Sequence, residues 1–493
     1  MSKDPTTTSQ VQAYRFVIRR MESALVRKDA VMLHEPMRTH LRASAVGVIL
    51  SVLGLAAFFV IGQFSPASDV NGNEIVIGSP SEAVFVVQDN PRRLIPVLNL
   101  TSARLLVVAI SPGREAPETK RVADSALAGI QRAPSTGLAG APPLPVPDNL
   151  IRGVWSVCDT AKVQQDLPNG GESRLQLSTT VLVREGQPLG RVLGDDQALL
   201  VAEQSTGATY FVWHGQRGQV DLRDPAVRTH YRLGNVVPRR VSTGLLNAIP
   251  EGHSLTLPTI PAGRPFPQLP GVQVGDVVRV KGVQDSFFLV LPQGVQPVEP
   301  AVADLIRYRR STSADFTSVT PESMSRVPEA PVASQLDFGG FPAGVPQILK
   351  INEAPIACLT WQGPDKSPVI TVNADERLPL ATGESPVEVP RVASGQTADS
   401  VFLPPTKGAL VRGVVPGQRS DTGAIWLVTD QGLRYGVPTI EVARALGLGE
   451  ATTPAPESIL GLLPIGPALE PQRALELFNP ELARQQAEQR TGG

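Results

Sequence analysis

The sequence predicts an α+β protein with a single N-terminal transmembrane helix and a large exterior region of four small, repeated, β-rich modules around a disulfide-bonded central domain. Three observations support this prediction: one long uncharged apolar segment, a strand–turn–strand–helix pattern that recurs four times, and two cysteines on either side of the middle two repeats. The 493 residues exceed one compact domain. Glycine (44 residues) and proline (47 residues) are frequent and charged residues make up only 18%, which suits short strands and turns.

Charge and metal-ligand content exclude two classes of protein. The 45 basic residues nearly balance the 46 acidic residues, so we expect no nucleic-acid partner, since such binders rely on a basic surface. Two cysteines and five scattered histidines are too few for a zinc or iron–sulfur site. We therefore expect neither a metal nor another cofactor.

Residues 43–64 form a 22-residue segment without a charge. At 1.5 Å per residue a helix of this length spans about 33 Å, enough to cross a bilayer. The alternative is a buried helix of a soluble protein, but such helices seldom run so far without a charged side. The segment starts too deep for a secretory signal and lacks a small-x-small cleavage site, so we expect it to stay as the single membrane anchor.

The flanks of this segment predict its orientation. Residues 1–42 carry eight Lys or Arg residues, and after the segment the next basic residue is Arg92. The positive-inside rule then places the N-terminus in the cytoplasm and more than 400 residues on the other side.

Residues 10–28 predict an amphipathic helix in the cytoplasmic arm, with apolar residues at i, i+3, i+4, i+7 and i+11 from Tyr14. One interpretation is a basic helix that rests on anionic lipid. The other is a docking helix for a protein partner, which Phe16 favours because it adds a second apolar face. Pro36 should separate this helix from the membrane helix. The predicted docking residues are Tyr14, Arg15, Val17, Ile18, Arg19, Arg20, Met21 and Leu25.

A short unit recurs four times in the exterior region: an aromatic-led strand, a turn, a second strand and a helix start. The aromatic strands begin at Phe85, Phe211, Phe288 and Trp426. Their separations of 126, 77 and 138 residues are uneven, so we expect four small modules with other material between them rather than a solenoid. Chance similarity of hairpins is the alternative, because no residue is identical in all four. Asp224 followed by Pro225 is the best-formed helix start.

Cys158 and Cys358 both lie in the exterior part, where an oxidising compartment favours a disulfide. A bridge would make one discontinuous domain with repeats two and three inserted, and would stabilise it by up to roughly 5 kcal/mol in the chain-entropy model. Two unrelated buried thiols are the alternative. Trp155 and Trp361, each three residues from a cysteine, are expected to pack over the bridge.

These patterns predict the domain boundaries. Residues 1–42 are the arm, 43–64 the transmembrane helix, 65–132 module 1, 133–149 a Pro-rich linker, 150–205 and 345–400 the two parts of the central domain, 206–270 module 2, 271–344 module 3, 401–455 module 4 and 456–493 a C-terminal tail.

The run from residue 6 to residue 29, followed by Pro36 and a single span, resembles the EccB family of type VII (ESX) secretion systems. The similarity extends to the segments 100–105, 155–159, 358–361, 434–437 and 466–469, and so covers nearly the whole chain. The resemblance implies a single-pass inner-membrane protein with a cytoplasmic N-terminus and a periplasmic domain of four repeats. It also implies assembly with EccC, EccD and EccE, self-association in the periplasm, and contact with inner-membrane lipid.

The resemblance also raises the question of chemistry, because some EccB members are labelled ATPases. The sequence contains no Walker loop, no His-Glu-x-x-His and no Gly-x-Ser-x-Gly. His214, His230 and His253 lie within forty residues of one another, but the sequence pairs none of them with a motif for a catalytic nucleophile. We therefore expect no catalytic residue and a structural role in secretion. The alternatives are a weak ATP hydrolase and a cell-wall-binding anchor.

Overall fold

The structure is a computed structural model in which two units are distinguished, Met1–Asp69 and Val70–Gly493, and each is described by itself. The predicted tail beyond residue 477 and the last residue of the predicted span lie outside the described residues. These are residues 7–28, 36–63, 70, 74–113, 118–164, 174–186, 190–310, 315–342, 344–363, 367–390, 397–415 and 422–477.

The described residues of the first unit form two helices, α1 (Thr8–Arg27) and α2 (Pro36–Gln63). A capping box starts α1, since Thr7 Oγ1 accepts from the Gln10 amide at 3.4 Å and Gln10 Oε1 accepts from the Thr7 amide at 3.0 Å. Within α2, Thr39–Val60 has a mean hydropathy of 2.4 and a length of 22 residues, enough to cross a membrane. As predicted, a new helix begins at Pro36, where the missing N–H costs nothing.

The second unit begins with module 1, whose sheet has the order β3-β2-β1-β4. β1, β2 and β3 are antiparallel neighbours, whereas β4 follows a helix and pairs with β1 in parallel. The first two strands of a larger central sheet follow this module. These elements are β1 (Ile75–Ser79), β2 (Val84–Asp89), β3 (Arg92–Pro96), α3 (Leu100–Ile110), β4 (Thr119–Ala123), α4 (Asp124–Leu127), β5 (Val154–Gln164) and β6 (Arg174–Arg184).

Modules 2 and 3 follow with the same plan and the orders β10-β7-β8-β9 and β13-β12-β11-β14. Module 2 contains β7 (Gln197–Glu203), β8 (Thr209–Trp213), β9 (Gln216–Gln219), α5 (Pro225–His230), β10 (Arg239–Val241) and α6 (Thr243–Ala248). Module 3 contains β11 (Val277–Val280), β12 (Ser286–Leu291), β13 (Gly294–Val298), α7 (Pro300–Arg309), β14 (Thr317–Val319) and α8 (Pro321–Ser325), and β15 (Gln347–Ile348) follows it.

The chain then returns to the central sheet and ends with module 4, in the order β22-β21-β20-β23. The central strands are β16 (Ile356–Gln362), β17 (Val369–Asp375), β18 (Val387–Glu388) and β19 (Ser400–Phe402). Module 4 contains β20 (Gly408–Val414), β21 (Ile425–Thr429), β22 (Arg434–Val437), α9 (Ile440–Ala445), β23 (Thr453–Pro456) and α10 (Glu457–Leu460). Short 3₁₀ helices occur at Pro147–Asn149, Leu233–Asn235, Val332–Ser334 and Pro471–Leu475.

The four module sheets share one four-stranded topology, to which module 2 adds β15 in parallel with β7. This confirms the predicted fold class of repeated β-rich modules. The aromatic strands predicted from sequence are β2, β8, β12 and β21, and Asp224 caps α5 by accepting from the Ala226 amide at 2.9 Å. Each repeat has two more strands than the predicted strand–turn–strand–helix unit, because another strand precedes the aromatic one and a parallel strand follows the helix. The sheet of module 2 accordingly begins with β7, upstream of the predicted boundary at residue 206.

The central sheet has the order β17-β16-β5-β6-β19-β18. Modules 2 and 3 are inserted between β6 and β16, which are distant in sequence but lie on either side of β5. Modules 1 and 4 share one apolar cluster that includes Leu105 and Leu427. Modules 2 and 3 share another that includes Val227 and Leu305. The repeats therefore pack as two pairs, first with fourth and second with third.

Candidate functional site

Helix α1 carries its apolar residues on the surface, and none of its residues is buried. The predicted stripe is exposed throughout: Tyr14 by 68%, Met21 by 61% and Leu25 by 79%. Val17 and Ile18 complete the stripe. Leaving several large apolar side chains in water costs about 1.5–3 kcal/mol each relative to burial. An exposed apolar face of this kind indicates a site of contact with a protein or a membrane.

Three arginines lie on α1 outside this stripe. Arg15, Arg19 and Arg20 are all exposed on α1, whose first turn contains no acidic residue. An apolar stripe beside a cationic flank fits either an acidic protein groove or an anionic membrane surface.

Cys158 and Cys358 form the disulfide of the central sheet. The two residues face each other directly on the antiparallel strands β5 and β16, with Cα atoms 4.0 Å apart. Both are buried, and their cluster includes Leu182 and Phe402. The bridge therefore ties together two strands that are 200 residues apart in sequence.

The predicted packing of Trp155 and Trp361 over this bridge is wrong. Both tryptophans belong to the cluster on the other face of the sheet, together with Val157. Successive side chains of a strand point to opposite faces, so a residue three positions away cannot share a face with the cysteine. The two tryptophans are instead directly opposite each other in the β5–β16 register.

Asp159 joins the central sheet to module 2. Its carboxylate accepts from the Ser242 amide at 2.6 Å, from Ser242 Oγ at 2.9 Å and from Thr179 Oγ1 at 2.8 Å. Ser242 is the N-cap of α6, so the carboxylate also faces the positive end of that helix. Burial nevertheless raises the pKa of Asp159, and Asp399 adds to this rise, while the three hydrogen bonds oppose it.

Arg239, on β10, is the positive charge at the same junction. It is 5% exposed and donates to the backbone oxygen of Ala354. Burial lowers the pKa of Arg239 to about 10, so the guanidinium stays charged at neutral pH. The attraction of Asp159 opposes that fall. The junction therefore contains opposite charges removed from water.

A second junction joins modules 1 and 4. Arg104 on α3 donates from Nη1 to the backbone oxygen of Leu446, the C-cap of α9. A cation at a helix C-terminus is favourable because the last carbonyls have no partner within the helix. Gly447 follows with a φ of +76°, and a Cβ there would lie 2.8 Å from Arg104 Nη1.

The sequence did not reveal these two junctions. Their partners are 83 and 342 residues apart, and nothing local indicates such distant pairs. One signal existed for Asp159, which is a charged residue within a strand of otherwise uncharged residues from 154 to 161. A charge in such a strand predicts a buried partner.

Comparison with known proteins covers both units of the chain. The family model described as "Type VII secretion system ESX-1, transport TM domain B" matches residues 3–478. The ESX-3 secretion system ATPase EccB3 of Mycolicibacterium smegmatis (strain ATCC 700084 / mc(2)155) is 32% identical over 504 residues, covering 98% of this chain and 93% of the relative.

Two solved structures are similar to this fold. The periplasmic assembly from the ESX-5 inner membrane complex contains a chain with a TM-score of 0.68 and 28% identity, covering 84% of this chain and 98% of that one. The EccB3 dimer from the ESX-3 core complex contains a chain with a TM-score of 0.68 and 30% identity, covering 82% of this chain and 100% of that one.

Proposed function

Because this chain belongs to the EccB family of type VII secretion systems, we propose that it is a structural and assembly subunit of an ESX inner-membrane complex. The observation that carries the proposal is the uncovered apolar face of α1, in a chain that also contains one membrane-spanning candidate and a large folded unit. Such a chain can hold different partners on the two sides of one membrane.

The proposed orientation places α1 in the cytoplasm and the second unit in the periplasm. Eight basic residues precede the apolar segment, and none occurs between residues 43 and 91. Short flanks with this asymmetry place the basic end inside. The similar chain in the ESX-5 complex belongs to a periplasmic assembly, which supports the same location for the second unit here.

The proposed partners are EccC, EccD and EccE on the cytoplasmic and membrane side, inner-membrane lipid around α2, and a second copy of the chain in the periplasm. The dimer formed by the EccB3 relative supports the last of these. For α1, we propose that residues Tyr14 to Leu25 dock on a protein rather than lie on lipid. Phe16 is 39% exposed and Val26 is 84% exposed, and both extend the apolar surface of the helix beyond the stripe.

Purification of the tagged full-length chain in a mild detergent, with mass spectrometry of the proteins that co-purify, tests this function. The wild type should retain the other ESX subunits. Val17→Asp with Met21→Asp places two charges in the apolar stripe and should release the cytoplasmic partners. Charge reversal of Arg15, Arg19 and Arg20 to Glu should weaken the same contacts.

Ser9→Asp is the matched control, because Ser9 is exposed in the first turn of α1, before the proposed docking residues Tyr14 to Leu25. This variant should keep the complex intact. If the stripe variant and the arginine variant both retained every subunit on native gels, α1 would not be the docking helix. If the wild type retained no ESX subunit at all, the assembly role itself would be wrong.

The relatives carry ATPase in their names. The sequence of this chain contains no Gly-Lys-Ser/Thr preceded by a glycine at the Walker spacing, so we propose that ATP-driven force comes from another subunit. Metal-dependent ATP turnover by the purified chain that one substitution abolishes would overturn this part of the proposal. Sedimentation with purified peptidoglycan tests the alternative role of a cell-wall anchor.

A further inference from the structure

The sixth residue of each module helix is buried, and it is apolar in three of the four modules. Counted from the N-caps Asn99, Asp224, Glu299 and Thr439, the sixth helical residue is Leu105, His230, Leu305 and Ala445. All four side chains are buried, at 0%, 5%, 0% and 2% exposure. Module 2 therefore has a titratable side chain at a position where the other three modules have an apolar one.

His230 lies where module 2 meets module 3. Helices α5 and α7 pack against each other, and the His230 ring is 4.5 Å from the ring of Tyr231 and 6.4 Å from that of Tyr308 on α7. At the other end of α5, Asp224 pairs with Arg309 of α7 at 3.2 Å. The histidine therefore lies within the contact between the two modules.

The Nε2 nitrogen of the His230 ring is buried and has no acceptor for a proton, nor any other hydrogen-bond partner, among the described residues. The charged groups that face it come from α7: Asp304 attracts a proton and Arg307 repels one, and these two are paired with each other at 2.8 Å. Burial raises the pKa of the neighbouring Tyr231, so this phenol remains neutral.

The electrostatics agree with this geometry. Burial lowers the pKa of His230 below its ordinary value, Arg307 lowers it further, and Asp304 opposes the fall. The folded state therefore holds the neutral ring, whereas an exposed imidazole would accept a proton near pH 6.5. Below that pH, the exposed state binds a proton that the packed state does not, so the packed state loses relative stability as the pH falls.

We propose that His230 is an acid-sensitive latch between modules 2 and 3. Its neutral ring completes the packing of α5 on α7, and its protonation separates the two helices. Acidification outside the membrane therefore changes the position of module 3 relative to module 2, whereas modules 1 and 4, which have Leu105 and Ala445 at the same helical position, keep theirs.

Distance measurements between two spin labels on the full-length chain in detergent test the latch. Val237 of module 2 and Val283 of module 3 are exposed, and each is replaced by Cys for labelling. The native cysteines are both in the disulfide, so only the introduced thiols react. We expect one narrow distance distribution at pH 7.5 and a several-fold larger long-distance fraction at pH 5.0.

Three variants in the labelled background complete the test. His230→Leu introduces the residue of modules 1 and 3 and should give the narrow distribution at both pH values. His214→Gln removes an exposed histidine of the same module and should respond as the wild type does. Asp304→Asn removes the group that stabilises the protonated ring in the packed state, so acid should destabilise that state more strongly and shift the midpoint of the change to higher pH.

The latch would be wrong if the wild-type distributions at pH 7.5 and 5.0 were the same, or if His230→Leu broadened as the wild type does. The Asp304→Asn variant keeps the test decisive should the leucine variant fail to fold, since Asp304 is partly exposed. An unchanged midpoint in that variant would show that another group titrates.

Discussion

Trp155 and Trp361 face each other across β5 and β16 on the side of the central sheet opposite to the disulfide. The same pair of strands is therefore held by a covalent bond on one face and by two large aromatic side chains on the other. Both indoles are buried, at 0% and 5% exposure. We expect the two faces to stabilise this strand pair separately, and the first two predictions test them.

Removal of the disulfide should destabilise the second unit. In Cys158→Ser with Cys358→Ser, the unfolded chain regains the freedom of a 200-residue loop, which corresponds to about 2–5 kcal/mol. The measurement is the denaturant midpoint of the full-length chain under non-reducing conditions. Equal midpoints, together with titratable thiols in the wild type, would show that the bridge does not form.

Removal of an indole should destabilise the other face. Trp361→Ala leaves a cavity in a buried cluster and should cost about 3–5 kcal/mol. Val369→Ala is the control, because Val369 is 61% exposed and close in sequence, and its effect should be within about 0.5 kcal/mol. The measurement is the denaturant midpoint of each variant relative to the wild type. A similar loss of stability in the two variants would contradict the prediction.

Asp159 should make stability depend on pH in a particular direction. Its pKa is raised in the folded state, so the folded state binds a proton more readily than the unfolded state. The stabilisation is complete below the unfolded value of 3.8 and is lost as the pH rises through the folded pKa. Asp159→Asn lacks this dependence.

The denaturant midpoint of Asp159→Asn minus that of the wild type should therefore increase from acidic to neutral pH. Taking the difference cancels the titration of the other groups, His230 included. A difference that stays constant with pH would mean that the carboxylate has the same proton affinity in both states.

Gly447 should tolerate a side chain worse than its neighbour Gly449. Both have positive φ, +76° and +78°, so alanine at either position costs about 1–2 kcal/mol of backbone strain. Only at Gly447 would the Cβ lie near Arg104, whereas nothing lies within 4 Å of a Cβ at Gly449. The Gly447→Ala variant should thus have the lower denaturant midpoint, and the Arg104→Met background should remove the difference between the two.

Much of the fold could be predicted from local patterns. The 22 consecutive residues 43–64 contain no charge, which is enough on its own to predict a membrane span, and Asp224 before Pro225 predicts a helix start. The fourth strand of each module was missed because short strands such as Arg239–Val241 carry too few residues to show a period of two.

The site was less predictable than the fold. The exposed stripe of α1 follows from helical periodicity alone, so its residues could be named in advance. The contacts of Asp159 with Ser242 and of Arg104 with Leu446 depend on how separate modules pack. The wrong prediction for Trp155 and Trp361 was avoidable, since the alternation of side chains in a strand places them on the face opposite the cysteines.

The insertion of modules 2 and 3 between β6 and β16 has a consequence for biogenesis. Cys158 is made 200 residues before Cys358, which at roughly 5–20 residues per second is a delay of about 10–40 s. Throughout that interval the Cys158 thiol has no disulfide partner, and the edge of β5 that pairs with β16 in the folded protein is unpaired. The thiol of Cys158 must therefore stay reduced until β16 has been synthesised. Oxidation before that point would form a non-native disulfide.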